Sequence, residues 1–578
     1  MKRLIFSLAM LLTMTMSISA QDLLGDLPQL TSPKNVKVTD VGKCTLYAAE
    51  VLVEDSLTGR QDTVYQSVPD VVWQSEGADI YQSERPSRRA LSATKLTGSL
   101  NTFFANLTFY VFKFTYESID SEGKTVTLSG IAATPDPKLS SEVNNMLIGT
   151  HITITSDAER PSNQTSKLES TDWGILFSMA AGKPTEKATG VKVGGAVLNT
   201  VLNTATLGLW GVAKSTVDVV RIIKYDECRR NFVVMPDYEG YGVTVNRAHP
   251  YLYQELTARQ VADAARAAYY AYHNDAGLKD IHLKFRKDWK TVVCGYSQGG
   301  SVAMVTQRFM EQNHIDDEFH LTGSICGDGP YDPMSTLMYY VKCDKEDKSM
   351  SMPVVLPLIV KGMLDTNPYM RAHKAADYFN PKFIETGILD WIGQKKKTTG
   401  DIENAFKDCY YNGKNGDKTY FRDILEPNGS AKMRNIMNKE CLDYFTNIYD
   451  KYKDKYKTAE GIPLPEKRGV MEDLHMALAS NDLTNGWEPK HHILLFHSNA
   501  DTTVPYDNAE RAKAKLGDWA VLHTANLKHD HVDSGKDFFA GDDNGKILVN
   551  DNLRITFAIK ALVDLPYQGQ TKGAIKEW

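Results

Sequence analysis

Thr291-Val292-Val293-Cys294-Gly295-Tyr296-Ser297-Gln298-Gly299 decides how this chain is read. Thr291 to Cys294 is short, apolar and β-branched, the pattern of a buried strand. From Gln298 to Gln312, the residues Val302, Val305, Phe309 and Met310 recur at helical spacing. Between strand and helix lies G-x-S-x-G, a sharp turn that exposes a serine hydroxyl. Gly295 and Gly299 keep side chains from clashing across that turn. The N-terminus of the following helix favours negative charge developing beside Ser297. A serine hydroxyl is a poor nucleophile at neutral pH. It needs a base, and the base needs an orienting carboxylate.

Composition bounds the surroundings of this turn. The chain has 578 residues, 42% hydrophobic and 24% charged, with a net charge of −6. That fits one large decorated domain or two to three smaller ones. No basic patch is interleaved with aromatics, so nucleic acid is not an expected partner. Residues 1–20 read as a signal peptide: Lys2 and Arg3 precede an apolar run from Leu4 to Ser17, and Ile18-Ser19-Ala20 offers a cleavage site. A secreted or periplasmic protein is expected. The seven cysteines, Cys44, Cys228, Cys294, Cys326, Cys343, Cys409 and Cys441, are sparse and have no zinc-site spacing. Cys294 and Cys326 fall in strand-like runs and read as core residues. The others leave room for one or two disulfides. Gly541-Asp542-Asp543-Asn544-Gly545 lacks calcium-loop spacing and reads as a solvated turn. There is no P-loop and no dinucleotide fingerprint. No metal and no cofactor are expected.

Along the chain, strands and helices alternate, the signature of an α/β sheet. Residues 21–105 carry little regular pattern and read as an N-terminal extension. Leu107–Tyr116 and Lys124–Ala133 read as a hairpin around Asp120-Ser121-Glu122-Gly123. Short apolar strands follow at Met146–Gly149, Phe232–Met235, Leu321–Cys326, Ile493–Phe496 and Ala520–Leu522. Helices are expected at Gln254–Tyr272 and Leu553–Val563. A core over 106–335 and 489–578 would then be interrupted twice. A lid-like stretch spans 157–228, with no charge between Lys192 and Lys214. A helical cap, rich in Lys, Asp, Tyr and Met, spans 336–488.

The ordered motifs resemble the α/β-hydrolase superfamily, and within it secreted lipases and esterases with a cap. Besides the turn at Ser297, the resemblance rests on Met235-Pro236-Asp237-Tyr238-Glu239-Gly240-Tyr241-Gly242 and on His497-Ser498-Asn499-Ala500-Asp501-Thr502-Thr503-Val504-Pro505. The second is similar to the acid loop of that fold, with Ser498 where Gly is usual. It implies an order of Ser, acid, His, with Ser297 as nucleophile and Asp501 as acid. Asp328 or Asp332, in Gly327-Asp328-Gly329-Pro330-Tyr331-Asp332, is the rival acid. His531 is the implied base, because it precedes a Gly and an aromatic pair, as in related loops. His529 is its competitor, and His523 reads as structural. The oxyanion donors would be the backbone N–H of Gln298 and one from Ile152 or Thr153, where relatives often carry H-G-x. Tyr238, Tyr296 and His151 are candidate substrate contacts. The resemblance implies a carboxylic ester hydrolase acting on a small or polymer-linked ester, with lipid contact through the lid allowed. A serine peptidase of the same fold, or a binding protein that kept it, are the alternatives.

Overall fold

The computed structural model describes residues 33, 35–54, 61–77, 80, 108–163, 176–177, 179–181, 229–408, 410–412, 418–420, 431–525, 530–540 and 554–578. The signal-peptide reading, most of the lid-like stretch, Cys228, Cys409, His529 and the Gly541–Gly545 turn lie outside them.

Where the N-terminal sequence shows little pattern, two strands form, β1 (Lys37–Glu54) and β2 (Gln61–Trp73). β1 pairs antiparallel with β3 (Thr108–Ile119), setting Cys44 opposite Phe109. β1 also pairs antiparallel with its sequence neighbour β2, so this hairpin forms the edge of the sheet. The expected hairpin is β3 with β4 (Thr125–Pro135), joined at a turn whose Asp120 carboxylate accepts the N–H groups of Glu122 and Lys124. β4 runs antiparallel to β6 (Phe232–Pro236). From β6 onward all neighbours are parallel: β6, β5 (Met146–Thr150), β7 (Thr291–Tyr296), β8 (Leu321–Gly327), β11 (His492–Ser498) and β12 (Ala520–Ala525). Among the described residues the sheet has ten strands.

Alternation along each strand feeds two cores. Ile148, Val234, Val293 and Leu495 face one side, packed in one cluster with the Ala-rich α1 (Gln254–Asn274) and with α2 (Gln298–Gln312). Small side chains at Ala258, Ala262 and Ala265 let α1 lie close to its neighbours. Leu147, Val233, Val292, Leu494 and Phe496 face the other side. This is the expected architecture, a mostly parallel sheet with helices on both faces.

Between β8 and β11 the chain builds a helical insertion with its own apolar cluster, including Met338, Leu356, Ile359, Phe383, Phe406 and Leu474. Its elements are α3 (Pro333–Lys345), α4 (Val355–Thr366), α5 (Pro381–Glu385), α6 (Ile388–Gln394), α7 (Thr399–Asp408), the hairpin β9 (Tyr410–Asn412) and β10 (Lys418–Tyr420), α8 (Met433–Ile436), α9 (Lys439–Tyr452) and α10 (Val470–Ala479). The sheet region is completed by α11 (Asp507–Leu516), α12 (His531–Ala540) and α13 (Arg554–Val563). The last two pack in the second sheet-face cluster, through Phe538, Phe539, Ile555 and Ile559. The insertion's base is joined to α11 by a buried ion cluster, in which Arg511 pairs with Asp332 at 2.9 Å and with Asp482. Cys44, Cys294, Cys326, Cys343 and Cys441 are buried free thiols, so no disulfide forms among the described cysteines. No helix among the described residues is long and apolar enough to cross a membrane.

Candidate active site

Ser297 sits between β7 and α2 with φ 58° and ψ −125°, a backbone state that a non-glycine residue holds only when its surroundings enforce it. The enforcement is visible. The Ser297 N–H donates to the Gly327 carbonyl of β8 at 2.8 Å. Thr150 Oγ1 lies 2.8 Å from the Gly299 carbonyl oxygen and 3.0 Å from that of Cys294, tying the end of β5 to the turn. A Cβ at Gly299 would collide with the Thr150 and His151 carbonyls, and one at Gly295 with Thr150 and Gly299. Both positions therefore exclude a side chain.

The structure brings Ser297, His531 and Asp501 into one relay. His531 Nε2 lies 2.8 Å from Ser297 Oγ, and its Nδ1 lies 2.5 Å from Asp501 Oδ2. Asp501 Oδ1 accepts the N–H groups of Thr503 (2.8 Å) and Val504 (3.0 Å), which fixes the carboxylate's rotation. Ser297 follows β7, Asp501 follows β11, and His531 opens α12 after β12. All three thus stand at the carboxyl ends of parallel strands, where α/β sheets place their sites. Because the Asp501 carboxylate accepts a hydrogen bond from Nδ1–H, Nε2 is left as acceptor toward the serine.

Electrostatics reinforce this assignment. Burial raises the Asp501 pKa, but the charge and hydrogen bond of His531, with His497 and the Thr503 N–H, outweigh it, and the net shift is downward. Burial lowers the pKa of His531, but the charge and hydrogen bond of Asp501 outweigh it, and the net shift is upward from 6.5.

The two rival acids do other work. Asp332 caps α3, accepting the N–H of Met334 and the hydroxyl of Ser335, and pairs with Arg511. Asp328 lies closer. Its Oδ1 accepts the Ser498 N–H at 3.1 Å, and its Oδ2 is 2.7 Å from the Tyr296 hydroxyl. That hydroxyl is also 2.6 Å from the His531 carbonyl oxygen. Burial pushes the Asp328 pKa up to about 6. Asp328, Asp501 and His531 offer potential metal-ligand atoms within 4.8 Å of one another. His523 lies in β12 and stacks on Phe496, a packing role as expected.

For an oxyanion, Gln298 offers the first N–H of α2, which has no intrahelical acceptor. Its side chain is anchored by a residue the sequence did not single out. Gln298 Nε2 donates to His249 Nε2 at 2.9 Å, and His249 Nδ1 donates to the Glu239 carbonyl at 2.8 Å. Burial holds His249 neutral, with a pKa lowered to about 3. His249 appears in the sequence only as a neighbour of the 235–242 loop, and no spacing ties it to residue 298. Ile152 and Thr153 follow β5 and share a cavity of about 500 Å³ with Ser297, Tyr296 and His531. Apolar Met352, Val355 and Ile359 from the insertion, and Phe539 from α12, also line it. His151 and Tyr238 do not. They stack on each other at 3.9 Å in the interior, away from this cavity's lining. The loop after β6 is pinned by buried Asp237, which accepts from Ser129 and from the N–H and hydroxyl of Ser162 in the segment after β5.

No family model and no curated protein matches the chain. Among solved structures it is similar to the rice cell wall degrading esterase LipA from Xanthomonas oryzae. Identity is 20% over 82% of this chain and 93% of that one, with a TM-score of 0.48. It is similar to a putative hydrolase from Legionella pneumophila, at 14% identity over 79% and 88% of the two chains and a TM-score of 0.48. Candida antarctica lipase A matches at 14% identity over 74% and 75%, with a TM-score of 0.43.

Proposed function

We propose that this protein is an exported serine hydrolase that cleaves carboxylic esters through an acyl-enzyme intermediate. The observation that carries the reading is the hydrogen-bonded relay from Ser297 through His531 to Asp501. Ser297 Oγ attacks the acyl carbon while its proton passes to His531 Nε2. Asp501 keeps the ring in the accepting tautomer and stabilises the imidazolium that forms. The Gln298 N–H and one from Ile152 or Thr153 hold the oxyanion, each such donor being worth about 3–4 kcal/mol. The Nε2 proton then leaves with the alcohol. Water, deprotonated by the same nitrogen, hydrolyses the acyl-enzyme and frees the acid.

The largely apolar cavity beside Ser297 suits an ester with an apolar fragment. Export rests on the leader-like residues 1–20. The test is Ser297→Ala. It should lower turnover of a p-nitrophenyl ester by on the order of 10⁶-fold and abolish fluorophosphonate labelling, with the thermal transition retained. Full activity in that variant would overturn the mechanism. A preference for peptide over ester substrates in the wild type would favour the peptidase reading.

A further inference from the structure

We propose that Glu403 makes this cavity selective for esters that carry a hydroxyl group on the fragment held against the helical insertion. The proposal rests on the esterase reading. Glu403 belongs to α7 and lines the same cavity as Ser297. Its Oε1 accepts the Val354 N–H at 3.1 Å, at the start of α4. Among the described residues its other oxygen, Oε2, takes part in no hydrogen bond or ion pair. The wall around it is largely apolar, with Met352, Val354, Val355 and Ile359, and its own helix adds Thr399 and Gly400. No Lys or Arg lines the cavity among the described residues, and the other carboxylate there, Glu159, is tied to the N–H groups of Thr155 and Ser156.

A carboxyl group in such a wall is costly unless a partner satisfies it. Anchoring α4 uses one oxygen and leaves the other without a partner in a side chain that lines the cavity. Burial raises the Glu403 pKa to about 7, so both protonation states are populated near neutrality. A substrate hydroxyl satisfies either state, since it donates to the carboxylate and accepts from the acid. An ammonium group would require two ions to lose their water in an apolar wall, which their attraction repays poorly. An anionic group would meet Glu403 and Glu159 with no compensating cation. Hydroxylated esters are therefore the class this wall fits.

The experiment compares kcat/KM within matched pairs: p-nitrophenyl hexanoate with its ω-hydroxy and ω-amino analogues, and butyl acetate with its ω-hydroxy and ω-amino analogues. The ratio within one enzyme does not depend on the fraction folded. The wild type should prefer the hydroxylated ester in at least one pair by about tenfold or more, the scale of a hydrogen bond to a buried charged group. Glu403→Gln, which can still donate and accept, should keep that preference. Glu403→Leu should reduce it to within about twofold. A flat ratio in both pairs, a preference that survives Glu403→Leu, or a preference for the amine would overturn the proposal. Failure of the esterase reading is separate: it would appear as no turnover of any ester and no fluorophosphonate labelling by the wild type.

Discussion

Asp501→Asn probes the relay with the least change of shape. Asp501 Oδ1 accepts two backbone N–H groups, from Thr503 and Val504. An asparagine must put its carbonyl oxygen there, because its NH₂ would face two donors. The NH₂ then occupies the Oδ2 position, 2.5 Å from His531 Nδ1, and can only donate. His531 is forced to accept at Nδ1 and to carry its proton on Nε2. That nitrogen lies 2.8 Å from Ser297 Oγ and can no longer take the serine's proton. A tautomer error of this kind costs about 10⁴ in kcat, or roughly 5 kcal/mol in the barrier. Burst and steady-state hydrolysis of a p-nitrophenyl ester measure it, alongside a thermal melt. Turnover within tenfold of wild type would refute the assignment of Asp501. If the added change Asp328→Asn then abolished that residual turnover, Asp328 would be the acid.

Other consequences are equally direct. The pKa of His531 is raised above 6.5, and only neutral imidazole can accept the serine proton, so kcat/KM should rise with pH through a midpoint above 6.5. A pH profile of ester hydrolysis checks this, and Asp501→Asn should move the limb downward. Gly299→Ala drives a methyl into the backbone carbonyls of Thr150 and His151, which cannot yield as a side chain would. It should cost about 1–3 kcal/mol in urea unfolding and displace Ser297 enough to remove activity. Arg511→Leu strands Asp332 and Asp482 in the interior and should cost about 3–5 kcal/mol, read as a lowered urea midpoint.

Elements with strong local patterns were legible before any coordinates. The 107–133 hairpin, the apolar strands and the helix after Ser297 depend on neighbours within a few residues, and their spacing exposes them. β1 and β2 were read only as an extension: they pair with each other as a hairpin, and that hairpin joins the sheet through β3, which begins more than fifty residues after β1 ends. His151 and Tyr238 show a related limit. A motif gives their position along a loop, whereas their stacking in the interior depends on how that loop packs.

The sequence alone determined the turn that strains Ser297, since Gly295 and Gly299 are the small residues such a turn requires and the flanking strand and helix are written in local periodicity. It also determined the order of serine, acid and histidine. It favoured Asp501 while leaving Asp328 or Asp332 as a rival, and it did not find His249 or Glu403. Those are questions of distance between side chains on separate strands, which depend on the register of parallel pairing and on how the insertion packs. The tertiary structure placed Asp501 Oδ2 against His531, turned Asp328 toward Tyr296, and brought a carboxyl group from a distant helix into the cavity beside Ser297. Local spacing fixes a backbone conformation. Only long-range packing fixes which polar atoms meet once water has been excluded.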